Sequence, residues 1–392
     1  MKEKYDTIII GAGSVGTPTA YFLSKVGEKV LVFDELSSSG QGQNKAAIGG
    51  VRATHSDPAK IQICLQSIDI FSNWKDKVGT DIGWKKGGYC FPVFRKKEEE
   101  ILKSILPIQK KHGLRIDWFD SNKIKKLVPG INEKGLIGGT FSPNDGQVNP
   151  LLASESFTNE AVKLGAEFRY RERIIGLIAK GSNLDLTING VKTTKGEYKA
   201  DAVLNSAGAN ASSICKMAGL NIPVNPDSHE AGITAPIRPF LKPLVVDIRP
   251  GKEGKTANFY FGQNTEGQII FCYTPLKIFQ GENRQATSEF MPIMARRMVD
   301  LIPRFKNLII RRQWRGLYPM TPDGVAVVGK SSKVEGLYLG IGMCGQGFMM
   351  GPGVGLNLTN LITKGKSLLN HEVFNLLNPD RDFYSGKKEA LK

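Results

Sequence analysis

The chain has 392 residues, 41% of them hydrophobic and 23% charged, which suits a soluble globular protein with core enough for two or three domains. No apolar run is long enough to span a bilayer, and the N-terminus lacks a signal-peptide layout, so nothing is expected to be cleaved ahead of the first strand. Fifty-three basic against 37 acidic residues leave a charge of +16. No basic run is interleaved with aromatics, which argues against a nucleic-acid face and for a lysine-rich solvated surface.

In chain order, Thr7–Ile10 form an apolar β-type run, followed by Gly11, Gly13 and Gly16 at G-x-G-x-x-G spacing. A helix is predicted over Val15–Val26, closed by Gly27, and a second strand over Val30–Phe33 delivers Asp34. In this arrangement Gly11 makes a tight turn, Gly13 lets a pyrophosphate reach the backbone and Gly16 lets helix and strand pack. The pyrophosphate sits at the helix N-terminus with Ser14 and Val15, and Asp34, with Glu35 beside it, accepts from the adenosine ribose. Dinucleotide binding follows from the whole set rather than from the glycines alone.

Further along, Pro58–Lys77 carries Ile61, Leu65, Ile68, Phe71 and Trp74 at helical spacing, with Asp57 as cap. Helices are also predicted at Glu98–Lys111 and Pro150–Leu164. Short β-type runs at Glu167–Tyr170, Ile174–Ala179, Leu184–Ile188 and Ala202–Leu204 suggest a small antiparallel insertion. The half from Ile222 to Arg315 is strand-rich, as at Asn258–Phe261 and Gln268–Tyr273, and reads as a separate sheet domain. Glycine recurs from Gly342 to Gly355 before a helix expected to start near Gly353. Five scattered cysteines without C-x-x-C read as reduced thiols of a cytoplasmic protein, and four scattered histidines offer no metal-ligand spacing.

Four blocks taken together resemble the D-amino-acid oxidase-type superfamily of FAD-dependent oxidoreductases. They are the Gly11–Gly16 fingerprint, Gly49-Gly50-Val51-Arg52, the strand and turn ending in Asn205-Ser206-Ala207-Gly208, and Gly316–Gly365. The branch with sarcosine oxidase, glycine oxidase and the β subunits of dye-linked proline dehydrogenase is the most similar. The resemblance implies an α/β fold: a Rossmann-like FAD-binding domain with a parallel central sheet, interleaved with a mostly antiparallel substrate domain. The expected division is 1–80, 146–222 and 318–380 for FAD, 81–145 and 223–317 for substrate, and a frayed tail at 385–392.

It also implies FAD rather than NAD, bound by Gly11, Gly13, Ser14, Val15, Gly16, Asp34, Glu35, Gln43, Asn44, Lys45, Gly50, Ala207, Gly208, Gly342, Gly345, Gln346, Gly347, Phe348 and Met349. Gly49 and Gly50 would allow an unusual backbone near the flavin. Relatives that attach flavin through cysteine have it where this chain has Gly316, so the FAD is expected to be non-covalent. The implied reaction is oxidation of the C–N bond of an amino acid or N-alkyl amino acid by hydride transfer to flavin N5. Arg52 would grip the substrate carboxylate, Tyr318 would bond it or pack as a core aromatic, and Gln346 and Met349 would face the flavin. Ile270 stands where oxygen-using relatives place lysine, which favours a dehydrogenase over an oxidase. Oxidation of a glycerol-3-phosphate-type alcohol and a role as the FAD-binding subunit of a larger complex are the alternatives. Electron acceptor, homo-oligomerisation and partner subunit stay open.

Overall fold

The computed structural model describes residues 4–181 and 186–384. The described residues divide into two units: 4–45, 150–181, 186–226 and 318–384, and 46–149 and 227–317. The segment 46–80, expected with the FAD-binding part, belongs instead to the second unit. Its helix Pro58–Ser72 touches the helix Lys96–Lys111 and the strand Gly50–Val51 of that unit.

The first unit is built on a sheet whose central strands run parallel: Leu337–Ile341, Glu197–Asn205, Lys4–Ile10, Val30–Asp34 and Glu167–Tyr170. Val327–Lys330 pairs antiparallel at one edge. The strand Lys4–Ile10 is near the middle, and Ile8, Ile9, Val32 and Leu339 have no exposed surface, as strands covered on both faces require. Helix Gly16–Lys25 follows it, ending at Gly27, whose φ of 92° suits only glycine readily. The expected antiparallel insertion is narrower than the sequence suggests. Glu167–Tyr170 and Glu197–Asn205 join the parallel sheet, while Ile174–Lys180 and Leu186–Thr193 pair antiparallel beside it. Part of the run expected at Leu184–Ile188, like the tail at 385–392, lies outside the described residues.

The second unit holds a sheet in which strands Asn225–Thr234, Ile269–Pro275, Thr256–Gln263 and Leu244–Asp247 pair antiparallel in that order. Tyr89–Val93 then pairs parallel with Leu244–Asp247, and Ile310–Met320 forms one edge. One face packs Phe259, Phe261 and Phe271 with Phe290, Met294 and Leu301 of the helix Phe290–Leu301. The helix expected over Pro58–Lys77 is two. Pro58–Ser72 is capped by the Asp57 carboxylate accepting from Lys60 N at 2.9 Å, and Asn73 separates it from Trp74–Val78. Among the described residues, no helix is long and apolar enough to cross a membrane, and no group of three or more His, Cys, Asp or Glu could hold a metal ion.

Candidate active site

The glycine fingerprint of the first unit sorts into two kinds of position. A Cβ on Gly11, whose φ is 104°, would lie 2.6 Å from Ser206 O, and one on Gly16 would lie 1.9 Å from Gly11 O. These two glycines let the chain pack on itself. A Cβ on Gly13 would meet no atom within 4 Å, so Gly13 keeps open an approach to its backbone rather than a packing contact. Helix Gly16–Lys25 has Val15 at its N-cap, no side-chain cap and no acid in its first turn. Its positive end is therefore not neutralised by the protein.

Around this turn the other expected residues gather. Asp34 ends its strand and accepts from Ala12 N at 2.8 Å through one oxygen and from Leu36 N at 2.9 Å through the other. The carboxylate thus braces the glycine loop while it retains further lone pairs for a hydroxyl. Glu35 accepts from Asn210 Nδ2 at 2.8 Å on the surface. Gly208, at φ 55°, gives the space that the Gln43 carboxamide occupies: a Cβ there would lie 2.1 Å from Gln43 Oε1. Asn44 is buried, donates to Pro150 O and Ser154 Oγ, and keeps its Oδ1 without a partner. Ala207 is partly buried beside Gly208, and Lys45 is exposed.

The helix after the second glycine block begins at Gly347, six residues earlier than expected, and runs to Lys364 with Pro352 inside it. The glycines explain the shift. A Cβ on Gly351 would lie 1.9 Å from Ser14 O and one on Gly355 2.9 Å from Thr19 N, so these two bring the helix Gly347–Lys364 close to the glycine turn and the helix Gly16–Lys25. Gly345, at φ 79°, lies under Tyr318, whose ring would be 2.2 Å from a Cβ there. Gln346 caps the helix without a side-chain bond and buries an Oε1 that has no partner. Phe348 is buried and Met349 half-buried in the first turn. Gly342, at φ 64°, packs on Thr321. Cys344 is a packed thiol, within 3.3 Å of Thr321 Oγ1 and 3.1 Å of Gly342 O.

These residues fit FAD: an open backbone approach at Gly13, an uncapped helix start and two orphaned buried acceptors at Asn44 and Gln346. The glycine turn and helix N-terminus would hold the pyrophosphate and Asp34 the ribose.

Gly50 and Arg52 belong to the second unit. Only Gly49, with φ 79°, has the backbone that favours glycine. Gly50 has no such φ, and its reason is steric, since a Cβ would lie 2.0 Å from the Tyr89 hydroxyl. Arg52 is 8% exposed; its Nη1 donates to Thr54 O and to Thr54 Oγ1, and its guanidinium lies 6.0 Å from the Phe91 ring centroid.

Sequence reasoning missed its buried polar neighbours. Asp145 accepts from Ala53 N at 3.2 Å through Oδ1 and leaves Oδ2 without a partner. Burial pushes its carboxyl up to about 7, opposed in part by the Arg52 charge. His55 has both ring nitrogens buried and unpartnered. Burial first, then Arg52 and Lys60, hold it well below the usual imidazole value, so this histidine is neutral. Asp145 followed by Gly146 has the signature of an ordinary turn, and no periodic pattern marks either residue.

A carboxyl raised by folding contributes stability that is full below its unfolded value, 3.8, and is lost as pH rises through about 7. Asp145→Asn should remove this slope, worth up to about 1.4 kcal/mol per pH unit. Thermal midpoints of both proteins across that range test it. Parallel curves would show that Asp145 does not titrate there.

Comparison with known proteins closes the reading of the site. Residues 6–361 match the family of FAD-dependent oxidoreductases (DAO). The chain is 21% identical to sarcosine oxidase subunit beta of Rhodobacter capsulatus, over 95% of this chain and 88% of that one. It is 24% identical to human mitochondrial dimethylglycine dehydrogenase over 93% of this chain but 43% of that protein, so it spans less than half of that relative. The solved structure of L-proline dehydrogenase from P. horikoshii superposes with a TM-score of 0.90 at 30% identity, covering 99% of this chain and 100% of that one. With a glycine turn open at Gly13 and a match running through nearly the whole sequence, the chain belongs to the DAO family of FAD-dependent oxidoreductases.

Proposed function

We propose that the chain is an amino-acid dehydrogenase that oxidises the C–N bond of a secondary or N-methylated amino acid of the proline and sarcosine class. The observation that carries this is the full-length likeness, at 30% identity, to a protein named L-proline dehydrogenase. Relatives named for sarcosine and dimethylglycine support the same class. Bound FAD would supply the two-electron acceptor.

The protein's part is binding and orientation. Arg52 holds the substrate carboxylate, and its buried setting strengthens a charge-assisted bond. Thr54 fixes the guanidinium by accepting from Nη1. Below pH 7 a protonated Asp145 leaves the Arg52 charge to the substrate; above it the two carboxylates compete. Within the first unit, the unpartnered Gln346 Oε1 would offer an acceptor to a flavin N–H, and Met349 would face the flavin. A likeness to a chain named as a subunit supports work within an assembly.

Anaerobic titration of the purified yellow protein tests the substrate class. L-proline or sarcosine should bleach the flavin, whereas glycerol 3-phosphate should not. Bleaching by the phosphate alone would overturn the reading. Acid precipitation should release the FAD, since Gly316 offers no thiol. Reduced protein should reoxidise slowly in air and quickly with an acceptor dye, given the uncharged Ile270. Rapid hydrogen peroxide formation would count against the dehydrogenase.

A further inference from the structure

Side chains alternate across the strand Ile310–Met320. On one face the Trp314 indole N–H donates to Ala46 O at 2.9 Å, and a Cβ on Gly316 would lie 2.6 Å from Ala46 Cβ. Gln313 and Arg315 take the other face. Gln313 donates to the Glu230 carboxylate and to Thr287 O, at 2.8 and 2.9 Å. Arg315 is 8% exposed, its guanidinium lies 4.6 Å from the Phe279 ring centroid, and Nη1 donates to Gln285 O at 3.2 Å. Its Nε and Nη2 are buried without a partner.

Those two N–H groups form one edge of the guanidinium, the fork that meets both oxygens of a carboxylate. The same edge is filled elsewhere in the chain: Arg95 holds Glu98, Arg249 holds Asp247 and Arg381 holds Asp323. All three are less buried than Arg315, where an unmet donor costs most. Glu230 accepts from Thr287 N, Thr287 Oγ1 and Gln313, and it makes no hydrogen bond to Arg315 Nε or Nη2. The segment that covers Arg315, residues 276–289, is itself largely exposed, so a small ligand needs only that one layer to move.

We propose that the Arg315 fork binds a small carboxylate, held bidentate with its apolar part along Phe279. This site lies on the opposite strand face from Gly316 and is separate from the carboxylate role given to Arg52. Its occupant ties the strand to segment 276–289, which makes it an effector site and not a place for reacting substrate.

Hydrogen–deuterium exchange of the FAD-loaded protein, with acetate as probe and chloride at equal ionic strength as control, tests this. Acetate should slow exchange in 276–289 saturably. The apparent affinity should weaken roughly tenfold or more in Arg315→Gln and in Arg315→Lys, which keeps the charge but not the fork. It should persist in Arg52→Gln, so failure of the substrate reading leaves this result intact. An equal effect of chloride, no effect of acetate, or an effect that survives in Arg315→Gln or disappears in Arg52→Gln would each overturn the proposal. If the Arg315 variants do not fold, the acetate–chloride contrast and its location in the native protein still decide.

Discussion

Gly13→Ala is expected to fold and to lose FAD. Gly13 has no positive φ and no protein atom within 4 Å of where its Cβ would stand, so alanine satisfies the apoprotein's backbone and packing. The same methyl group would occupy the approach through which a pyrophosphate reaches the loop. Overpacking at such a contact costs about 1–3 kcal/mol, or roughly ten- to hundredfold in affinity. Gly16→Ala makes the control, because its Cβ would lie 1.9 Å from Gly11 O and should destabilise the apoprotein itself. Flavin absorbance per chain and thermal midpoints of both apoproteins separate the two. Native flavin content in Gly13→Ala would place the cofactor elsewhere, and an apoprotein as damaged as Gly16→Ala would show that the loop is only packing.

Legibility in the sequence followed the range of the physical cause. The turn from Gly11 to Asp34 was readable because strand, turn, helix and acid all lie within one short stretch and each has a local requirement. Tyr318 was readable only through the family resemblance. What sets its position is Gly345, whose missing side chain admits the ring, and that pairing is invisible without the fold. The start of the helix Gly347–Lys364 was misplaced because Gly351 and Pro352 look like helix breakers. In the structure Gly351 is demanded by Ser14 O, a contact from the other end of the chain. The allocation of 46–80 failed for a similar reason: the amphipathic pattern of Pro58–Ser72 shows that one face is buried, not against what. Asp145, His55 and Arg315 left no pattern at all. Each is defined by the burial of a polar atom without a partner, a property of tertiary structure alone.

Arg52→Ala is expected to leave FAD content near normal and to cut kcat/KM by several orders of magnitude. Arg52 belongs to the second unit, where its Nη1 donates to Thr54 O and Thr54 Oγ1, whereas the glycine turn and Asp34 belong to the first. Its removal therefore spares the residues assigned to the cofactor. A substrate carboxylate would lose both a charge-assisted bond, about 1.5–3 kcal/mol, and the orientation that a positioned guanidinium imposes, which contributes more. The fold should tolerate the change because Asp145 is left protonated and not as an uncompensated anion. Burial already raises its carboxyl to about 7, and removing the opposing Arg52 charge raises it further. Arg52→Lys should restore part of the rate, since an ammonium keeps the charge and lacks the fork. The double variant Arg52→Ala, Asp145→Asn should be no slower than Arg52→Ala, as Asp145 acts on substrate only through the shared cation. Flavin content, kcat/KM for the bleaching substrate and the pH dependence of the thermal midpoint read these outcomes together. If Arg52→Ala loses FAD but turns over normally when refilled, Arg52 is a structural group, and Tyr318 or Lys45 becomes the residue to test for the carboxylate.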